Sequence, residues 1–266
     1  VPGIPAGVSA DTLTAPYNDL EAVQKLVADH RREVAAIIIE PVAGNMGCIL
    51  PAEGFLQGLR NICDDENIVF IFDEVMTGFR LASGGAQQVL GIDADLVTYG
   101  KVIGAGMPVG AFGGKRKIME HIAPLGNVYQ AGTLSGNPVA MAAGLAQLTE
   151  LLKPGFYKDL NKKSQEFTDS IQRFATARNY KFRVFGIGSI FWFAFTDKES
   201  IKSAEEIDPA SMEKFKVMHR ELLNRNIYLG PSGYEVGFIS AAHTKVELEK
   251  AKRAIFESLD IVFRSK

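Results

Sequence analysis

The run IVFIFDEVMTGFR, Ile68 to Arg80, constrains this chain more than any other stretch. Five apolar residues, β-branched and aromatic, stop abruptly at Asp73-Glu74. That pattern predicts a buried parallel strand delivering carboxylates at its C-terminal end. In open α/β sheets this is the edge at which ligands sit. A second strand-like run, Asp95 to Tyr99, ends in Gly100-Lys101 and continues into the glycine-rich turn VIGAGMPVGAFGG. Two such strands side by side put a lysine next to a carboxylate.

An acid and a lysine at neighbouring strand ends suit pyridoxal phosphate chemistry. The lysine amine forms a Schiff base with the cofactor, and the carboxylate keeps the pyridine nitrogen protonated so that the ring withdraws electrons. Asp73 is then the nitrogen partner and Lys101 the Schiff-base lysine. A strand ending in Asp-Glu is also how an ATPase presents a magnesium carboxylate, but that requires a phosphate loop. The only approach to one, Gly114-Lys115, is followed by Arg116 and has Val109 where the first glycine belongs. Gly104-Ala105-Gly106 is a faint dinucleotide fingerprint interrupted by Pro108. Lys101 alone would more often be a solvated loop lysine, and its pairing with Asp73 raises it above that reading.

The 266 residues suffice for one large domain or two modest ones. A net charge of −2 with both signs interspersed gives no basic stripe for nucleic acid and no polybasic membrane patch, so the expected partner is a small molecule. Cys48 and Cys63 have neither metal spacing nor the density of a disulfide scaffold, and His30, His121, His219 and His243 are scattered. No metal is expected. No apolar run reaches the roughly 20 residues of a membrane span, and no charged-then-apolar leader is present. A cytoplasmic location, or the inside of an organelle, is therefore expected. The opening VPGIPAGVSADTL reads as an extended connector arriving from an upstream portion.

Along the chain, Asn18 and Glu21 predict a capping box for a helix running to about Arg32. A buried strand over Val34 to Glu40 follows, then a loop carrying Asn45, a helix from about Glu53 to Glu66, and the Asp73 strand, together a βαβ unit. After a short strand over Val109 to Gly114, Thr133, Ser135 and Asn137-Pro138 crowd the start of a helix rich in alanine and glycine, Val139 to Leu152. Its start suits a phosphate or a plain N-cap, and its small residues permit close packing, within the core or across a subunit interface. From Pro154 the texture changes to a long polar helix, alternating strands around Trp192, a helix opened by Asp208-Pro209, a strand-like piece from Glu235 to Ser240, and a last helix capped by Thr244 and Glu247. The expected division is 1–154, an α/β domain with a mostly parallel sheet flanked by helices, and 155–266, a small α+β domain.

Four runs in this order, EPVAGNMG (Glu40 to Gly47), FDEVMTGFR (Phe72 to Arg80), YGKVIGAGMPVGAFGG (Tyr99 to Gly114) and YQAGTLSGNPVAMAAG (Tyr129 to Gly144), resemble the glutamate-1-semialdehyde 2,1-aminomutases. These belong to the class-III aminotransferases, within the fold type I pyridoxal phosphate enzymes. The resemblance covers essentially the whole chain. It implies pyridoxal 5'-phosphate as cofactor, with the pyridoxamine phosphate form in the cycle, and conversion of glutamate-1-semialdehyde to 5-aminolevulinate in tetrapyrrole biosynthesis. Lys101 would hold the cofactor and shuttle protons, and Asp73 would pair with the ring nitrogen. Val75 would pack on the ring face and Asn45 would bond the phenolic oxygen. Thr133, with the amide of Gly132, would reach the phosphate of the neighbouring subunit, with Tyr129 nearby, in a homodimer with composite sites. Glu235 resembles an active-site glutamate close to the substrate. The family also carries an N-terminal region that supplies a phosphate loop, a ring-stacking aromatic and a gating loop. VPGIP resembles the segment just after that loop, so the resemblance implies an incomplete site and leaves room for a separate N-terminal segment as partner. The nearest alternative is a class-III ω-aminotransferase, and another is a catalytically silent subunit.

Overall fold

The computed structural model describes residues 2–264; Val1 of the opening run and Ser265 and Lys266 at the end lie outside them. The opening is not extended throughout: Ala6–Ala10 form a short exposed helix, α1. Helix α2 spans Leu20–Asp29, and its cap corrects the expectation. Asp19, not Asn18, accepts the Ala22 amide, at 2.9 Å. Asn18 instead sits at φ 67° and clamps distant backbone, accepting from Ala52 N and donating to the carbonyls of Leu50 and Lys202. Asn tolerates that left-handed conformation better than most residues, which frees its amide for long-range bonds.

Strand β1 (Ala36–Ile39), helix α3 (Phe55–Glu66), strand β2 (Val69–Asp73), the short helix α4 (Gly85–Leu90), strand β3 (Leu96–Tyr99) and strand β4 (Ala111–Gly114) follow. They form one sheet in the order β1-β2-β3-β4. The first two pairings are parallel and the β3–β4 pairing is antiparallel. Phe70 and Phe72, on one face of β2, pack with Val23 and Val27 of α2 and Leu56, Leu59 and Cys63 of α3. The expectation that β1 is buried is corrected. Ile38 is 62% exposed, because side chains alternate along a strand and the described helices α2 and α3 cover one face.

Asp95, just before β3, ties this sheet together. Its carboxylate accepts from Phe70 N (2.7 Å), Arg60 (2.9 Å) and Lys115 (2.5 Å). Burial acts to raise its pKa and is outweighed by the hydrogen bonds from Lys115, Phe70 N and Arg60, so the carboxyl is held below its usual range. A group depressed in the folded state stabilises above its unfolded pKa and loses that contribution as pH falls through the folded value. Asp95→Asn is therefore expected to cost about 1.5–3 kcal/mol at pH 7. Below about pH 4 the loss should shrink, and urea titrations at pH 7 and pH 3 measure the difference.

Helix α5 (Arg116–Met119) leads to helix α6 (Pro138–Leu151) and to the long helix α7 (Phe156–Ala177). Pro138 occupies the first turn of α6, and Asn137 caps it by accepting from Val139 N and Ala140 N. Strands β5 (Arg183–Ile187) and β6 (Ile190–Ala194) then precede helix α8 (Ser211–Asn224), strand β7 (Gly237–Phe238) and helix α9 (Lys245–Arg264). The three strands form an antiparallel sheet, β5-β6-β7. At the start of α9 the expected reciprocal cap is present: Thr244 N donates to Glu247 at 2.7 Å, and Glu247 N to Thr244 Oγ1 at 3.4 Å. Strand β6 is buried on both faces. Phe191 and Phe193 pack against α7, α8 and α9, whereas Ile190, Trp192 and Ala194 pack with Val42, Ile49, Met76 and Leu81 from the first sheet's loops. Gly47, at φ +85°, is where those loops meet Trp192: an added Cβ would lie 3.0 Å from the indole ring. One strand thus locks the second sheet onto the loops at the C-terminal edge of the first. Among the described residues no helix is long and apolar enough to cross a membrane.

Candidate active site

That C-terminal edge gathers most of the residues singled out in the sequence. Asp73 closes β2, opposite Thr98 of β3. Its Oδ1 accepts from Val75 N at 3.0 Å and from Thr98 Oγ1 at 3.3 Å. Among the described residues Oδ2 has no hydrogen-bond partner, so one oxygen is oriented by two donors while the other is left to receive a proton donor.

Strand β3 ends at Tyr99, and Gly100 is fully extended (φ −165°, ψ −154°). Lys101 then takes φ 45° and starts a 3₁₀ turn over Lys101–Gly104. A left-handed backbone at a non-glycine residue is uncommon and strained, and such positions cluster at functional sites. The turn rests on α6, where an added Cβ at Gly144 would run into the Ile103 carbonyl. The small-residue face predicted for α6 therefore packs, at Gly144, against backbone of the same chain. Lys101 is exposed and forms no ion pair among the described residues. Val75 lies beside it: an added Cβ on Gly100 would be 3.1 Å from Val75 Cγ1.

Asn45 is exposed on the loop after β1, which the Ala43–Ile49 bridge closes. Its neighbour Gly44 abuts Met76, in the loop after Asp73, and donates its amide to Glu40 Oε2 at 3.1 Å. Glu235 comes to the same side from the second sheet's loops, since Tyr234 O accepts from Gly47 N at 2.8 Å. Its carboxylate, however, turns back over Gly230. Asp73 at the end of β2, Lys101 at the start of its 3₁₀ turn, and Val75, Asn45 and Glu235 on loops therefore belong to adjoining segments.

Tyr129, Gly132 and Thr133 do not share this arrangement. They lie on the exposed segment leading into α6, with Tyr129 84% exposed. Ser135 N donates to Gly132 O at 2.9 Å, and neither the Tyr129 nor the Thr133 side chain has a polar partner among the described residues.

Sequence reasoning missed Thr98, Arg80 and Glu74. Thr98 was findable only through register, since it sits across from Asp73. Arg80 donates from Nε to Met76 O at 2.9 Å and stacks on Phe238 at 4.0 Å, and burial pushes its pKa down to about 10. Tyr99 packs against Phe79 with the rings tilted and their centroids 5.6 Å apart; burial and the Glu74 charge hold its phenol above the usual range. Both rings sit at the strand end that carries Lys101.

An unpaired amine, an apolar wall and a carboxylate with one free oxygen form a donor set that fits an aldehyde-bearing pyridine cofactor. The mostly parallel sheet with its flanking helices and α+β continuation is the fold type I architecture of pyridoxal phosphate-dependent transferases. More narrowly, the sequence model described as aminotransferase class-III matches residues 1–243, and the chain belongs to that family.

Three solved structures illustrate the similarity. An ω-transaminase from Sphaerobacter thermophilus is 29% identical with a TM-score of 0.92, covering 99% of this chain and 60% of its own. A β-phenylalanine aminotransferase from Variovorax paradoxus is 31% identical with a TM-score of 0.87, covering 95% of this chain and 58% of its own. A glutamate-1-semialdehyde aminomutase from Pseudomonas aeruginosa, in complex with PMP, is 24% identical with a TM-score of 0.85, covering 98% of this chain and 60% of its own. At that identity the last likeness speaks for the fold. The chain spans 58–60% of the length of these three proteins.

Proposed function

We propose that the protein is a pyridoxal 5'-phosphate-dependent aminomutase that converts glutamate-1-semialdehyde to 5-aminolevulinate. The observation that carries the reading is Lys101 and Asp73 at adjoining strand ends, where among the described residues the lysine has no acid partner and the carboxylate keeps a free oxygen. Asn45 in GNMG and the run Thr133 to Pro138 resemble the aminomutases more closely than the ω-aminotransferases. When bound, the cofactor supplies an electron sink for a carbanion at the substrate carbon.

The chain's own residues do the rest. Lys101 presents the amine that holds the cofactor aldehyde and moves protons between the two carbons that exchange the amine. Asp73 keeps the pyridine nitrogen protonated, Val75 backs the ring, and Asn45 donates to the phenolic oxygen. Glu235 would have to swing away from Gly230 to meet substrate. Thr133 and the Gly132 amide, with Tyr129 nearby, serve the phosphate of a second subunit. An exposed apolar stripe on α6 supports such a homodimer: Met141, Leu145 and, at the C-cap, Leu152 stand 4 and 11 residues apart on one side of the helix and are 44%, 69% and 63% exposed. In this reading residues 1–154 form the cofactor domain and 155–266 the small domain. Free, buried Cys48 and Cys63 fit a cytoplasmic location.

A second reading, an ω-aminotransferase, is favoured by the 29% and 31% identity to two transaminases. Both readings need Lys101 and Asp73 and differ in stoichiometry. The aminomutase turns over glutamate-1-semialdehyde with no added amino donor or acceptor. Product formation should therefore proceed with the semialdehyde as sole substrate; an absolute requirement for an added amine or keto acid would decide for the transaminase.

A further inference from the structure

The proposed roles leave Glu74 without a task, although it is fully buried between Asp73 and Val75. Its carboxylate has no cation among the described residues. Oε2 accepts from Thr77 Oγ1 at 3.0 Å and from Ala86 N at 2.5 Å, and Oε1 from Gln87 N at 3.3 Å. A buried charge persists only where its hydrogen bonds are made. Here every donor comes from the segment 74–87, Thr77 from the loop after β2 and Ala86 and Gln87 from the first turn of α4, and the bonds draw the two ends of this 74–87 loop onto a single group. Glu74 N also donates to Thr98 O at 3.0 Å, and Gly78 N to Glu74 O at 2.8 Å, which fixes the loop's start on β3. Gly85, at φ +64°, lies so close that any Cβ would collide with the carboxylate.

The same loop touches each part of the candidate site. Val75 abuts Gly100 and Met76 abuts Gly44 beside Asn45. Phe79 packs at a tilt against Tyr99, its carbonyl accepts from Tyr157, and Arg80 stacks on Phe238 of the second sheet. We propose that Glu74 is the positioning residue of the site: its carboxylate closes the 74–87 loop and so holds Asp73 and Val75 in place against the Lys101 turn. The inference rests on the functional reading above.

Glu74→Gln is nearly isosteric; it keeps an oxygen for Thr77 and Ala86 but turns an amide toward the Gln87 N–H. Gly85→Ala disturbs the same contact from the opposite end and supplies both readouts should Glu74→Gln fail to fold. In the full chain, amide hydrogen exchange would be followed for residues 84–87, with residues 190–195 as internal reference. The affinity for pyridoxal phosphate and the pH midpoint of its visible band would be taken on the same samples. Both variants are expected to exchange at least about tenfold faster at 84–87 and to bind the cofactor about tenfold more weakly, the effect of losing one net hydrogen bond. The pH midpoint should move as well, with the reference strand unchanged. A lower melting temperature alongside parental affinity and pH midpoint would mean a merely structural acid and overturn the proposal, as would unchanged exchange. If the unaltered chain takes up no pyridoxal phosphate, the functional reading fails. The exchange result then decides by itself whether Glu74 closes the loop.

Discussion

Lys101→Ala is expected to reduce turnover by at least about 10³-fold while leaving the fold intact. In the proposed function two roles are lost together, the amine that would hold the cofactor aldehyde and the group that would move the proton. The structural cost is small. Lys101 is exposed and makes no ion pair among the described residues, so stability should change by no more than about 0.5 kcal/mol. Alanine keeps the left-handed strain at φ 45°, and so isolates the amine from the backbone. Circular dichroism, a thermal melt and the visible spectrum of the cofactor-loaded protein would be compared with the parent. A parental cofactor band with parental activity would remove Lys101 from the mechanism.

How far the fold was legible follows from what each local signal encodes. The parallel β1–β2–β3 core was readable because Ile37-Ile38-Ile39 and Val69 to Phe72 are short apolar runs ending in acids, a pattern few alternatives share. Burial was less readable. Composition says that Ile38 suits a strand, but which face is covered depends on the helices that pack there, and Ile38 faces away from them. Asn18 was misread for a related reason. Its spacing to Glu21 fits a capping box, yet a left-handed backbone and bonds to Leu50, Ala52 and Lys202 claim its side chain for tertiary contacts invisible to a local window. The α9 cap, Thr244 with Glu247, was read correctly because it is local. The alternating strands around Trp192 were legible, but the role of Trp192 as a bolt between the two sheets required Gly47 and its neighbours in space.

Within the candidate site, the neighbourhood of Asp73 and Lys101 was legible because sheet order brings adjacent strand ends together. Val75 was singled out by the family resemblance alone, and the structure sets it against Gly100. Thr98, which orients the Asp73 carboxylate, is an ordinary threonine until register places it there. Glu74 was overshadowed by its neighbour, because the two acids of a strand-end pair point to opposite sides. One side meets the open edge and the other a fully closed loop. The segment holding Tyr129, Gly132 and Thr133 is different in kind. It is exposed, so what it meets is set by a second molecule and not by its own packing, and its assignment to a second subunit belongs to the proposed function.

Asp73→Asn is expected to be the second largest loss, on the order of 10²–10³-fold in turnover with the fold retained, comparable to removing one preorganised electrostatic partner. The substitution preserves shape. An asparagine oxygen can still accept from Val75 N and Thr98 Oγ1, so the strand end should keep its present geometry. What disappears is the charge on the free side, and with it the preference for a protonated nitrogen at that point. Lys101 and Val75 are untouched, so the cofactor should still attach, with weaker affinity but an ordinary binding stoichiometry. The signature is thus a large fall in kcat with bound cofactor, and a substrate-carbon proton exchange that slows in parallel. Glu74 cannot substitute, because its carboxylate is buried and committed to Thr77, Ala86 and Gln87. The measurement is kcat together with isotope exchange in deuterated water, on protein whose cofactor content has been titrated. Near-parental kcat at full occupancy would show that ring protonation does not depend on Asp73, and the role would pass to some other group.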